Sequence, residues 1–148
     1  MQNILGGAST VAPDGMLYMP WKDGRARMVD VRDILDVAAT ALTADGHESQ
    51  TYTLTGATSA SFHDVSAALS KALDKDVTYV DVPVEAAVQA MVDMGFSEFM
   101  AKTVGELHVN FAANGANCTT KDVEAVTGHT ARSIDDFARD FAGIFGGC

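Results

Sequence analysis

Apolar positions recur with helical spacing along one stretch before any other feature asserts itself. Val31, Ile34, Leu35, Ala38, Ala41 and Leu42 fall at i, i+3, i+4, i+7, i+10 and i+11, which places them on one face of a helix. Asp30 precedes this run as an N-cap whose carboxylate meets the free amides of the first turn, and Asp33 adds negative charge at the positive helix end. Arg27 to Val29 read as a short strand feeding that helix. The same reasoning runs along the chain. Residues 1–15 are rich in Gly, Ser and Ala and read as irregular after a short element at 3–5. Residues 16–21 alternate as a strand with edge character because of Pro20, and Asp23-Gly24 supplies a turn. Residues 51–55 form a short β-rich run.

Ser61 with Asp64 is a capping-box variant opening a helix whose buried face is Val65, Ala68, Leu69, Ala72 and Leu73. Residues 77–82 read as a strand stopped by Pro83. Pro83 also fits the first position of a helix over 84–94 that Gly95 ends. Ser97 caps a longer helix to about Asn114, and Thr119 or Thr120 caps another through Thr127, closed by Gly128. Ser133 with Asp136 caps the last helix, where Ile134, Phe137, Phe141 and Ile144 pack. These elements define an α/β fold with short strands and about six helices, richest in helix toward its C-terminal portion. With no repeat or linker, residues 1–148 read as a single domain.

Composition narrows the function classes. Hydrophobic residues make up 47% and charged residues 20%, ordinary for a globular protein. The net charge of −10 arises from 20 acids against 10 bases, and the bases are scattered apart from Arg25, Arg27 and Arg32. A nucleic-acid surface needs a basic stripe, and an anionic membrane surface is disfavoured for the same reason. No apolar run approaches the roughly 20 residues that span a bilayer, and the N-terminus lacks the charged and apolar regions of a signal peptide. Cys118 and Cys148 do not make a disulfide framework, so a cytoplasmic protein with free thiols is expected.

Several motifs invite a chemical reading. Thr55-Gly-Ala-Thr-Ser-Ala-Ser61 follows a strand and opens a helix, as a dinucleotide loop does, but Ser59 and Phe62 stand where further glycines must admit a phosphate; helix capping explains it better. Tyr18 and Lys22 have the Tyr-x-x-x-Lys spacing that pairs them on a helix, yet Pro20 and the extended reading remove that geometry. His47, His63, His108 and His129 show no zinc spacing, so no metal is expected. Ser61, Ser97 and Ser133 are caps, with no nucleophile elbow around any of them. Cys118 sits near a helix start, where either a low-pKa thiol or an ordinary cysteine fits.

Taken in order, Met1-Gln-Asn3, Met19-Pro20, Asp23-Gly-Arg25, Val29-Asp-Val-Arg-Asp-Ile34, Tyr52-Thr-Leu-Thr-Gly56, Val77 to Val82, Thr127-Gly128, Arg132-Ser133 and Phe137 resemble the NmrA-like group of atypical short-chain dehydrogenases/reductases. That group includes NAD(P)H-dependent quinone and azo reductases and redox-sensing regulators. The resemblance covers only its C-terminal half, a partial Rossmann-like fold. Complete members carry a preceding glycine-rich GxxGxxG turn that holds the dinucleotide. The resemblance therefore implies the substrate-side half of an oxidoreductase, with NAD(P) as the cofactor of complete members and none expected for this chain alone. It leaves open a truncated gene, a partial reading frame or a detached half.

It also implies that strand 51–55 extends the Rossmann sheet, while strands 16–21 and 77–82 build the smaller substrate-side part. Asn3, Met19 and Trp21 then fall near the cleft where a small apolar or aromatic ligand sits, although ordinary core or newly exposed packing surface accounts better for Met19 and Trp21. No catalytic residue is assigned. A half of this kind bares apolar surface on helix 31–42 and an edge on 51–55, so a homo-oligomer or a missing Rossmann half is the expected partner. The alternative is a free-standing binding module.

Overall fold

The computed structural model of the chain describes residues 1–118 and 120–146. Seven α-helices and two short strands appear among them: α1 (Ala8–Asp14), β1 (Met16–Met19), α2 (Val31–Thr43), α3 (Phe62–Leu73), β2 (Thr78–Asp81), α4 (Val84–Asp93), α5 (Glu98–Ala112), α6 (Asp122–Thr127) and α7 (Ile134–Asp140). Two 3-10 helices, Gln2–Gly7 and Ala142–Phe145, lie near the ends. β1 and β2 pair in parallel, Met16 opposite Thr78 and Met19 opposite Asp81, with α2 and α3 in the crossover between them.

α3 is the central helix, packed on β2 and α7. Its start is a full capping box: the Ser61 hydroxyl receives the Asp64 amide, and the Asp64 carboxylate receives the Ser61 amide. Ser133 and Asp136 repeat this device on α7. Val65 and Leu69 of α3 meet Leu17 of β1, Val77 and Tyr79 around β2, and Phe137 and Phe145 from the C-terminal segment in one core. α4 and α5 pair as a hairpin. Gly105 allows their close approach, since a Cβ there would lie 2.7 Å from Val88 Cγ2.

The observed elements depart from the sequence reading in instructive places. Residues 2–14 are helical rather than irregular, with Ile4 and Val11 buried in the core. Packing against β1 outweighs the poor local propensity of Gly6, Gly7 and Pro13. Residues 27–29 and 51–55 form no strand; near the first, only an isolated bridge joins Ala26 to Ala60. Pro83 is the N-cap of α4 rather than its first residue. Lys121 precedes α6 without a side-chain cap, while the Thr120 hydroxyl is turned instead to the Thr53 carbonyl. Thr119, the other cap considered, and Cys148 lie outside the described residues. Ile144 is exposed, and Phe145 takes the core position beside Phe137.

At α2 the structure agrees with the expectation that helix 31–42 bares apolar surface. Its apolar stripe faces outward, with Val31, Ile34, Leu35 and Leu42 exposed by 43, 39, 61 and 86%. The buried side carries Asp33 and Val37. Asp33 accepts the Arg132 amide at 2.9 Å and pairs with the Arg132 guanidinium, which also reaches Asp36 at 2.9 Å. Asp30, equally buried, caps Arg32 and takes its guanidinium and the Gln2 side chain, all within 3.0 Å. Burial pushes the Asp30 pKa up, but the Arg32 and Gln2 hydrogen bonds outweigh it and hold the carboxyl at about 2. Arg32 continues to Asp140 on α7 at 2.7 Å.

Replacing Arg132 by alanine leaves the buried Asp33 charge unpaired and is expected to lower stability by about 3 kcal/mol. Urea denaturation checks this, and adding Asp33→Asn to the same chain should restore part of the loss by removing the stranded charge.

Candidate functional site

Open α/β sheets place ligands beyond the C-terminal ends of their strands. Here those ends are Met19 and Asp81, and the residues after Met19 turn across them. The Tyr79 hydroxyl lies 3.0 Å from the Met19 carbonyl and 3.1 Å from Asp81 Oδ1, with its single proton between these acceptors. It receives the Trp21 amide at 3.3 Å. Burial and the neighbouring Asp81 push the Tyr79 pKa up to about 12, so the phenol stays protonated. Lys22, with φ at +49°, closes the turn by donating its amide to Asp81 Oδ1 at 2.8 Å.

Trp21 is 4% exposed. Its ring stands edge-on to Phe62 at 4.8 Å and tilted against Phe111 at 4.5 Å. The indole Nε1 donates to His108 Nδ1 at 2.7 Å, which requires His108 to carry its proton on Nε2. That contact fastens α5 to the end of β1. His63 stacks edge-on to Tyr79 at 4.9 Å. The assembly is an aromatic platform with one carboxylate and two imidazoles gathered at the strand ends. Of the three residues singled out from sequence, Trp21 is buried, Met19 is half-buried against the core, and Asn3 stands exposed on the first 3-10 helix. Neighbours of Asn3 reach elsewhere: Met1 donates its amino group to the Val29 carbonyl, and Gln2 binds Asp30.

No family model matches the sequence. The chain is 40% identical over 146 residues to an NAD(P)H azoreductase of Xenophilus azovorans, covering 99% of this chain and 51% of that protein. The chain matches the C-terminal half of NmrA-like NAD(P)H reductases. Solved structures carry the same architecture. A NADPH-dependent quinone oxidoreductase of Escherichia coli complexed with NADPH superposes with a TM-score of 0.83 at 21% identity, over 95% of this chain and 50% of that one. A triphenylmethane reductase of Citrobacter sp. complexed with NADP(H) gives 0.80 at 23%, over 95% and 48%. The chain thus spans about half the length of the relatives it matches.

Against this NmrA-like background the tempting motifs resolve. In the 55–61 loop, Gly56 is pressed against the 25–28 segment: a Cβ there would lie 2.3 Å from the Met28 carbonyl. The loop carbonyls of Ala57 and Ser59 accept from Arg27 and Arg25, and the Asp64 carboxylate occupies the N-terminus of α3. The residues present therefore do not fit a pyrophosphate. Tyr18 is exposed on β1 and Lys22 lies beyond Pro20, so they share no helix face.

The remaining histidines have local partners: His47 with the Tyr52 hydroxyl at 2.7 Å, His63 with Asp23 and His129 with Asp36, each at 3.4 Å. Among the described residues no group of His, Cys, Asp or Glu could hold a metal, and no helix is long and apolar enough to cross a membrane. Cys118 is free and exposed. A cleft of about 120 Å³ opens near Thr55, Lys121 and Glu124, away from the platform. Sequence reasoning missed His108 as the indole's partner because the two lie 87 positions apart.

Burial lowers the His108 pKa from its ordinary value of 6.5. The unfolded chain then binds the proton more readily, so stability present above pH 6.5 is lost as the pH falls toward the folded pKa. Trp21 is the sole tryptophan, and its emission should report this as an acid transition below pH 6.5. The variant His108→Leu should lack that transition and lose about 1–3 kcal/mol through the unsatisfied indole N–H.

Proposed function

We propose that this chain is the substrate-side half of an NmrA-like NAD(P)-dependent reductase and does not hold the dinucleotide by itself. The observation that carries the reading is the match of 99% of the chain to about half of an azoreductase at 40% identity. The engagement of Gly56 with the Met28 carbonyl supports the second clause, because the one glycine of the loop has no freedom to admit a phosphate.

The platform and the names of the relatives support a conjugated organic acceptor as the substrate class, since an azo compound, a quinone and a triphenylmethane dye are all conjugated acceptors. In this chain Asn3 and Met19 contact the acceptor, and Trp21 backs the wall from beneath, locked in place by His108, Phe62 and Phe111. No proton or hydride step is assigned to a residue here.

A second reading is a free-standing module that binds an apolar ligand or its own kind. It is favoured by the exposed side chains of the α4–α5 hairpin, among them Phe96, Phe99 and Met100.

Calorimetry on the purified chain should show no NADPH binding at micromolar concentration, and menadione reduction should stay at the buffer rate. Tight NADPH binding or turnover would overturn the proposal.

A further inference from the structure

Both feet of the α4–α5 hairpin stand at the C-terminal ends of the strands. β2 ends at Asp81 and α4 begins at Val84, while the last turns of α5 return to Trp21, just past the end of β1. Along α5, Met100, Val104, Leu107 and Phe111 fall at i, i+4, i+7 and i+11 and so form one stripe. Phe111 is its foot, with its ring 4.5 Å from that of Trp21. Met100 and Leu107 are 48 and 46% exposed, and Val104 and Phe111 are half-buried. On one flank Ala101 and Gly105 are buried, Gly105 against Val88 of α4. On the other flank Thr103, Glu106 and Asn110 are polar and exposed. The apolar track is therefore one side chain wide. It leaves the platform at Phe111 and advances about 16 Å to Met100.

We propose that this track holds a linear apolar substituent of the acceptor, whose conjugated head rests on Met19 with Trp21 behind it. This rests on the functional reading above and adds a shape to the substrate: a conjugated ring system that bears a hydrocarbon chain. The width of the track selects a chain. A protein interface of standard size draws about 20–30 residues from each side, whereas the stripe offers four, between a packed flank and a polar one. A hydrocarbon chain needs only a strip of apolar atoms to leave water. The place agrees, because ligands of open α/β sheets sit beyond the C-terminal strand ends, where the track starts. The track is also fixed to the platform. Trp21 donates its indole N–H to His108 at 2.7 Å, and Arg25 donates its amide to Asn114 Oδ1 at 2.8 Å. Gly24 is pressed on the end of α5, where a Cβ would lie 2.4 Å from the Phe111 carbonyl.

A second copy of this chain is the competing occupant, and it would enter by the broader apolar tip of the hairpin at Phe96 and Phe99. Leu107 lies about two helical turns from Phe99, so it separates the stripe from the tip.

Quenching of Trp21, the sole tryptophan, reports binding as a quinone is titrated into the purified chain. Menadione is compared with the same naphthoquinone carrying a geranyl chain on its free quinone-ring carbon. The geranyl compound should bind at least about tenfold tighter, the order expected for several CH₂ groups leaving water. Leu107→Ser and Met100→Ser, both at exposed positions, should each cut that ratio to about threefold or less. Val109→Ser, exposed on the far side of the same helix, should keep the full ratio.

Equal dissociation constants for the two quinones would overturn the proposal and leave the functional reading in place. A gain that survives Leu107→Ser, or that Val109→Ser abolishes as well, would overturn it as unspecific partition of the chain. A doubled mass by light scattering that Leu107→Ser restores to the monomer would overturn it by assigning the stripe to a second copy. Absence of quenching by either quinone would also overturn it, while NADPH binding judges the functional reading separately. Binding of the geranyl compound that geraniol displaces, with no quenching by menadione, would keep the track and sink the reading of the platform as an acceptor site.

Discussion

The pairing of buried Asp33 with Arg132 is the constraint on which the arrangement of this chain depends. A carboxylate without solvent has no stable place in a protein unless its lone pairs are taken, and Arg132 takes them with both its main-chain amide and its guanidinium. That single contact ties the first turn of α2 to the residues just before α7, 99 positions later. Asp30 repeats the logic one turn earlier, drawing in Gln2 from the N-terminal segment and, through Arg32, Asp140 from α7. The orientation of α2 follows. Its charged side is pinned inward, and its apolar side is left for something else.

The rest of the fold is organised differently. Around α3 the core is ordinary apolar packing, with the two parallel strands, α7 and the N-terminal helices gathered on Val65, Leu69 and Phe137. At the strand ends the aromatic platform is locked by hydrogen bonds, from Tyr79 to Met19 and Asp81 and from Trp21 to His108. The platform and the α2 face are thus built by separate means.

Much of this was legible in the sequence where the determinant is local. Ser61 with Asp64, Ser97, and Ser133 with Asp136 announced their helices because a cap acts within three residues. The strands at 16–19 and 78–81 could be read from short apolar runs, and the family resemblance placed both in the substrate-side part. Helix 8–14 could not be read, because its stability comes from Val11 reaching a core assembled by distant segments. The strands expected at 27–29 and 51–55 failed for a related reason: a strand is defined by its ladder partner. The direction of α2 was legible only through the family resemblance, which implied a bared apolar face on helix 31–42. Periodicity identifies a face but not what covers it, and only the distant Arg132 reveals that the charged side is the inner one.

The central claim is that this half folds as a self-supporting unit through those ion pairs while leaving α2 outward. The most direct measurement compares equilibrium urea unfolding followed by Trp21 fluorescence with unfolding followed by far-ultraviolet circular dichroism. Trp21 reports the platform and the helical signal reports the whole chain. Coincident transitions, both shifted together to lower urea by Arg132→Ala, are the predicted result. Transitions that separate, or a tryptophan transition that ignores Arg132, would contradict the account.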